Sequence, residues 1–355
     1  MDNQAAYKAD LYSICKNLAK EFCFAKKLNS APRQVSAERA WAAISSFYVR
    51  HKARTRLGKI HLKVERQRKE MIYFLTVNYF STNFIFKLIP SILQQHFESK
   101  IIVINNSPED EDLIHLVNQY SQIEVICSPS NIGFGSACNL GITHVYQIDP
   151  KALIWLINPD AVLKTIAIAT ILNYFKEDAE IAILGTNIED SNGNPWFELG
   201  RFNPWLGSVT HRAYNHLQID GFTKIPSRWV SGCSMVLNLS QFDHCPQFDP
   251  FYFLYYEDVD LCEKYFRNNY KIVVTSMALV IHSVSSITSQ NPSTKLKVEM
   301  MSKLYFLDKY GKFSAIWFNI IRYLVIIAIE LCFNQKRAFV RWEGLLDFIK
   351  WKTKV

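Results

Sequence analysis

Four stretches of this 355-residue chain combine residue types that can do chemistry. In INPDAVL (157–163), Asp160 follows a solidly apolar run. A carboxylate in such surroundings needs a cation or hydrogen-bond donors, because burying it unpaired is costly. Pro159 keeps the chain extended there. A hard divalent ion held by one or two carboxylates plus phosphate oxygens suits the arrangement; a turn or helix-capping aspartate is the plainer alternative. YYEDVDLC (255–262) sets Glu257, Asp258 and Asp260 at the start of a helix, where the helix dipole alone favours acids. The apolar FLYY just before them should desolvate at least one, raising its pKa towards the working range of a general base. His282 closes an apolar strand ahead of Ser283, Ser285 and Ser286, as a metal ligand or a capped turn would. NIGFGSACNLG (131–141) invites a dinucleotide reading, but G-x-G-x-x-G from Gly133 would need glycine where Cys138 stands. That fingerprint also opens after a first strand, and this stretch follows the third. What remains is a tight turn carrying backbone N–H groups and Asn131 to a sheet edge.

The elements that must position these groups follow from the apolar texture. MIYFLTVNY (71–79), KIIVINNS (100–107), IEVICSPSN (123–131), KALIWLINPD (151–160) and EIAILGTNIED (180–190) read as strands buried on both faces. Apolar-periodic segments between them, at 84–97, 109–120, 135–147 and 165–177, read as helices. Such alternation predicts a mostly parallel sheet with helices on both faces. Ligands of such sheets gather at the carboxyl ends of the strands, here Asn78, Asn105 to Ser107, Asn131 and Asn158 to Asp160. Residues 191–250 are rich in proline and glycine and read as loops over that edge. RWVSGCSMVLNL (228–239) reads as a strand, 257–269 as a helix, and 271–275 and 278–282 as two short strands.

Composition is that of a globular protein, 49% hydrophobic and 20% charged, which excludes a disordered tail, a collagen-like fibre and a disulfide miniprotein. The net charge of +8 is unevenly spread: residues 1–70 carry 16 basic and 6 acidic side chains, 71–290 carry 12 and 21, and 291–355 carry 12 and 5. An acidic body thus lies between basic ends, which argues against one continuous nucleic-acid face. The eight cysteines are scattered, without C-x-x-C, as in a reducing compartment, and the N-terminus lacks the pattern of a secretory signal; a cytoplasmic protein is expected. Residues 1–70 read as a separate basic helical extension. FSAIWFNIIRYLVIIAIELCF (313–333) is long enough to span a bilayer, but Arg322 and Glu330 interrupt it, favouring a buried or in-plane helix. Trp342, Leu345, Leu346 and Ile349 form a stripe flanked by cations, as on an interfacial helix or a dimer helix.

The order and spacing of TVNYFST (76–82), IIVINNS (101–107), NIGFGSACNLGI (131–142), INPDAVL, WVSGCSMVL (229–237), FYFLYYEDVDLCEK (251–264) and VIHSVSS (280–286) resemble family 2 glycosyltransferases. Within them the pattern is most similar to the bacterial rhamnosyltransferase-type branch. The resemblance implies a GT-A fold, a Rossmann-like α/β architecture, over residues 71–290, with helical extensions at 1–70 and 291–355. It implies an inverting transfer from a nucleotide-diphosphate sugar, a dTDP- or UDP-sugar with rhamnose the first choice, helped by Mg²⁺ or Mn²⁺. The acceptor would be a hydroxyl of a growing bacterial surface glycan, lipid-linked and met at the inner membrane face. Apart from the resemblance, the C-terminal stripe leaves a homodimer open, and nucleic acid is not an expected partner, since no recognition motif accompanies the basic residues of 1–70. Carried over by position, Val77, Asn78, Tyr79, Asn105, Ser107, Asn131, Gly133, Asn139 and Asn158 would hold the donor. Asp160 and His282 would hold the metal, and Asp258 would be the base. Trp229, Gly232 and Glu257 would shape the acceptor side. The branch usually reads V-D-N-S where this chain has Ile104, Asn105, Asn106 and Ser107, so one charge is missing from the nucleoside site. The rivals are a non-catalytic glycan- or membrane-binding scaffold on the same fold, and a nucleotidyltransferase. TVNYFST lacks the Gly-rich, cationic phosphate loop of the latter.

Overall fold

Strand β1 (Ile72–Asn78) buries all seven of its residues, as its unbroken apolar run requires, and it sits inside the sheet between two parallel neighbours. These are β2 (Ser99–Asn105) and β4 (Leu153–Ile157), in a register that sets Asn78 opposite Asn105. The computed structural model describes residues 71–113, 119–120, 122–211, 224–283 and 292–353. The expected basic helical segment 1–70 lies outside them, as do Ser285, Ser286 and residues 114–118 of the helix expected at 109–120.

The remaining strands are β3 (Ile123–Cys127), β5 (Ala161–Leu163), β6 (Ile181–Asp190), β7 (Pro195–Phe197), β8 (Arg201–Asn203), β9 (Ser208–Thr210), β10 (Lys224–Pro226), β11 (Ser234–Asn238) and β12 (Lys271–His282). The main sheet runs β10-β12-β6-β11-β4-β1-β2-β3, with β5 on β12 and β7 on β6; β8 and β9 form a separate pair. Helices α1 (Thr82–Leu93), α2 (Phe134–Ile148), α3 (Ala167–Glu177) and α4 (Glu257–Arg267) accompany it. Apolar faces of α1, α2 and α3 enter the core, where Phe74 stacks on Trp155 with centroids 5.2 Å apart.

Some boundaries differ from the sequence reading, each for a local reason. The run 228–239 is a ladder strand only from Ser234, because the chain turns just before it, Ser234 N–H donating to the Ser231 carbonyl (3.1 Å). β11 then runs antiparallel between β4 and β6, so the sheet is mixed at its centre. The run 151–160 is a ladder strand only as β4, which stops before Asn158 and Pro159, the latter having no N–H to extend a ladder; β5 starts just beyond the run. The two short strands expected at 271–282 are one bulged strand.

Three further helices close the described chain: α5 (Pro292–Tyr310), α6 (Phe313–Phe333) and α7 (Gln335–Lys352). α5 is tied to α4 by Lys309, whose ammonium pairs with Asp249 and Asp260. α6 is long and apolar enough to cross a membrane, yet only 17% of that apolar stretch is buried in the protein. Between α6 and α7 lies an open groove of about 380 Å³, lined by residues such as Leu324, Leu331, Phe339 and Trp342.

Candidate active site

The carboxyl end of β4 turns at once into β5, Ala161 N–H donating to the Asn158 carbonyl (3.1 Å). β5 pairs antiparallel with the end of β12, Ala161 opposite His282. That register brings Asp160 to the imidazole across 122 positions of sequence: His282 Nε2 and Asp160 Oδ1 are 3.1 Å apart. Both side chains are buried, and the Trp196 ring meets His282 edge-on at 4.5 Å. His282 Nδ1 is buried with no hydrogen-bond partner among the described residues. An orphaned ring nitrogen beside a carboxylate is the kind of exception that points to a ligand. One Asp and one His suit a hard divalent cation that takes its other ligands from phosphate oxygens and water. No cluster of three or more Asp, Glu, His or Cys occurs among the described residues, so the protein alone would supply only part of a shell.

Asp258 sits in the first turn of α4, partly exposed. Its Oδ2 accepts from Gly232 N–H (2.9 Å) and its Oδ1 from Val259 N–H (2.8 Å). Burial of the surroundings raises its pKa above the usual carboxylate value, while those N–H groups and the nearby His211 pull it back. A Cβ at Gly232 would lie 3.2 Å from the Phe134 ring, which would have to give by a few tenths of an ångström, and 3.5 Å from the Asp258 Cβ, an ordinary contact.

The two centres are joined by consecutive residues. Gly232 N–H holds the Asp258 carboxylate, and the next carbonyl, that of Cys233, accepts from Asn158 N–H (3.0 Å), two residues before Asp160. The Cys233 thiol is pushed well up by burial, with the Asp160 and Asp258 carboxylates adding to it. Both acids therefore act on one small region at the carboxyl edge of the sheet.

The other residues expected at the site are distributed around this edge. Glu257 is buried against α2: a Cβ on Gly135 would lie 3.3 Å from its own, and its charge acts on Cys138. Burial and then Asp258 push its carboxyl up to about 8, and Glu257 Oε2 has no hydrogen-bond partner among the described residues. Gly133 has φ 85°, and a Cβ there would lie 2.4 Å from the Phe253 carbonyl, so the turn docks tightly on the FLYY loop. That loop carries Tyr255 and Tyr256 at φ 66° and 69°, a strained pair just before the acids. Asn131 Oδ1 accepts from Asn106 Nδ2 (2.9 Å) and Gly133 N–H (3.1 Å). Asn139 is committed to the backbone of Phe248, donating to its carbonyl and accepting from its N–H. Trp229 is buried and its indole N–H is spent on the Arg201 carbonyl (3.2 Å). Val77 is in the core, Tyr79 is exposed, and Asn78, Asn105 and Ser107 share one buried network.

Three residues at this edge escaped the sequence reading. Trp196 and His211 come from a loop-rich stretch with no periodicity to flag them. Asp110 accepts from Asn78 Nδ2 and Thr82 Oγ1, both at 2.9 Å, but lies in EDED (109–112), which reads as solvated charge.

A mixed sheet of this order, bearing an Asp–His pair and a helix-borne aspartate on one edge, defines a glycosyltransferase of the GT-A class. The sequence profile described as "Glycosyltransferase like family 2" matches residues 69–302, and the chain belongs to that family. It is 25% identical over 232 residues to the N-acetylglucosaminyl-diphospho-decaprenol L-rhamnosyltransferase of Mycobacterium tuberculosis (strain ATCC 25618 / H37Rv), covering 58% of this chain and 74% of that one. It is 26% identical over 206 residues to the rhamnosyltransferase WbbL of Escherichia coli (strain K12), covering 54% and 75%. Among solved structures, a crystal structure of GalNAc-T7 with UDP, GalNAc and Mn²⁺ aligns with TM-score 0.53 and 13% identity over 66% of this chain. The alignment spans 48% of that structure, and at this identity it speaks for the fold alone.

Proposed function

We propose that the protein is an inverting, metal-dependent transferase that moves a sugar, rhamnose first, from a dTDP- or UDP-sugar to a hydroxyl of a lipid-linked bacterial surface glycan. The observation that carries this reading is the bridge of Gly232 and Cys233 between the Asp258 carboxylate and the turn that bears Asp160. The rhamnosyltransferases to which the chain is similar support the sugar, and the diphospho-decaprenol in one of their names supports the acceptor class.

In this reading Asp258 takes the proton of the incoming hydroxyl as the new glycosidic bond forms and the bond to the diphosphate breaks. Direct displacement needs its base on the side opposite the leaving group, and inversion follows. Gly232 and Val259 N–H groups fix the carboxylate's orientation, and His211 favours its ionised form. Asp160 and His282 would hold Mg²⁺ or Mn²⁺, whose charge would offset that developing on the departing diphosphate. The exposed apolar face of α6, with Trp317, Ile321 and Val325, supports attachment to the inner face of the cell membrane from the cytoplasm.

The test is a panel of nucleotide sugars, read for transfer and for metal-dependent hydrolysis. Asp258→Asn should lower turnover by about 10²–10⁴-fold while donor affinity stays within about twofold; parallel loss of both removes the base from Asp258. Asp160→Ala should abolish the gain in donor affinity on adding Mg²⁺ or Mn²⁺, and an unchanged gain refutes the metal assignment.

A further inference from the structure

We propose that Asp110 binds the nucleoside of the donor: its carboxylate, held at the carboxyl edge of β1 and β2, accepts a hydrogen bond from the base or the ribose. This rests on the donor reading above and adds a residue to it. Asn78 is wholly buried, and its amide is oriented by its neighbours. Asn78 Oδ1 accepts from Ser81 N–H (3.0 Å) and Ser81 Oγ (2.9 Å), so its Nδ2 must point to acceptors. The nearest is Asp110 Oδ2 at 2.9 Å, which also takes the Thr82 hydroxyl at 2.9 Å. A turn from Ser107, whose carbonyl accepts Asp110 N–H (2.9 Å), carries the aspartate back to this edge.

The rest of the network is neutral. Asn105 Oδ1 is spent inside the protein on Asn78 Nδ2, Ser107 N–H and Ser107 Oγ. Asp110 is partly exposed, and among the described residues its Oδ1 accepts no hydrogen bond and no Lys or Arg pairs with it. A carboxylate with one oxygen fixed by two donors and the other open is an oriented acceptor, which an N–H of a base or a ribose hydroxyl satisfies. Tyr79 and Phe80 directly follow Asn78, the residue that donates to Asp110, and are 40% and 51% exposed, with rings 5.2 Å apart. Phe80 has φ 47°, a conformation bulky side chains rarely adopt, fixed by its N–H on Ser107 Oγ (3.1 Å). An aromatic surface next to an acceptor suits a flat heterocycle whose edge carries a donor.

The experiment is calorimetric titration of the full chain, with Mg²⁺ or Mn²⁺, with UDP, dTDP, GDP and CDP. Asp110→Asn should weaken the preferred nucleotide about 10- to 100-fold, raise the donor KM, and leave kcat at saturating donor and the apo melting temperature nearly unchanged. Analogues then name the group that Asp110 accepts from. A base methylated at its ring N–H, or a deoxyribose lacking the hydroxyl, should cost wild type about tenfold and Asp110→Asn almost nothing. Wild type binding a nucleotide while Asp110→Asn binds it equally overturns this inference alone, as does wild type binding parent and analogues alike, a result that needs no variant to fold. Wild type binding none of the four overturns it together with the donor reading.

Discussion

Three acids crowd one turn of α4, and the fold gives each a different electrostatic fate. Asp260 accepts the Tyr252 hydroxyl (2.9 Å) and pairs with Lys309, so it fastens helices together. Asp258 keeps partial exposure and two backbone donors. Glu257 is sealed against α2 with its pKa up at about 8, so the folded protein holds a proton there that the unfolded chain releases near its ordinary value of 4.5. For a raised carboxyl the stabilisation is full below the ordinary pKa and is lost as pH rises through the folded value. Melting temperatures from pH 5 to 9 should therefore fall more steeply for wild type than for Glu257→Gln, and parallel curves would show that Glu257 is not a buried acid. Asp160, Asp258 and His282 were legible because each interrupts or ends an apolar run, where a polar group needs a reason. Trp196, His211 and Asp110 were not, since each acquires its neighbours only through tertiary contacts, and a carboxylate within EDED looks no different from its solvated neighbours.

Among the elements, buried strands and their intervening helices follow from the apolar runs, and the alternation marks the parallel part of the sheet. The antiparallel insertion of β11 does not, because a run buried on both faces carries no sign of its direction. The junction at Gly133 is a case where the type of residue was readable and the reason was not. Its turn is recognisable from sequence, but the close approach of the Phe253 carbonyl belongs to a segment 120 positions away. Gly133→Ala meets both a left-handed φ and that carbonyl, so it should lose roughly 1–3 kcal/mol in urea unfolding. A loss below about 0.5 kcal/mol would mean that the FLYY loop can retreat from the turn.

For the molecule as a whole, polarity is divided along the chain: an acidic catalytic body precedes a C-terminal part of net positive charge. On α6, Trp317, Ile321, Leu324, Val325 and Ile329 are all exposed, far more apolar surface than scattered single residues would give. Glu330, which interrupts the apolar run in sequence, is neutralised by Arg337 and Arg341 of α7, a pairing no local pattern could show. Attachment to vesicles containing anionic lipid should fall at least about tenfold in Ile321→Glu/Val325→Glu and weaken in high salt, while transfer to a short soluble acceptor persists. Unchanged flotation with a change in oligomeric state would assign this face to a second copy instead.

The bulge in β12 has a consequence for how this chain tolerates change. From Val274 to His282 the strand advances eight positions while its partner β6 advances five. Because side chains alternate between faces, an odd surplus reverses the parity of everything beyond it. The histidine's aim at Asp160 is thus a matter of phase, set just upstream between Ala278 and Val280, where β12 advances two positions against one of β6. Excising one residue there should turn the imidazole away and abolish the metal's effect on donor affinity, whereas excising two should preserve more of it. Equal damage from both would show that the strand can slip back into step.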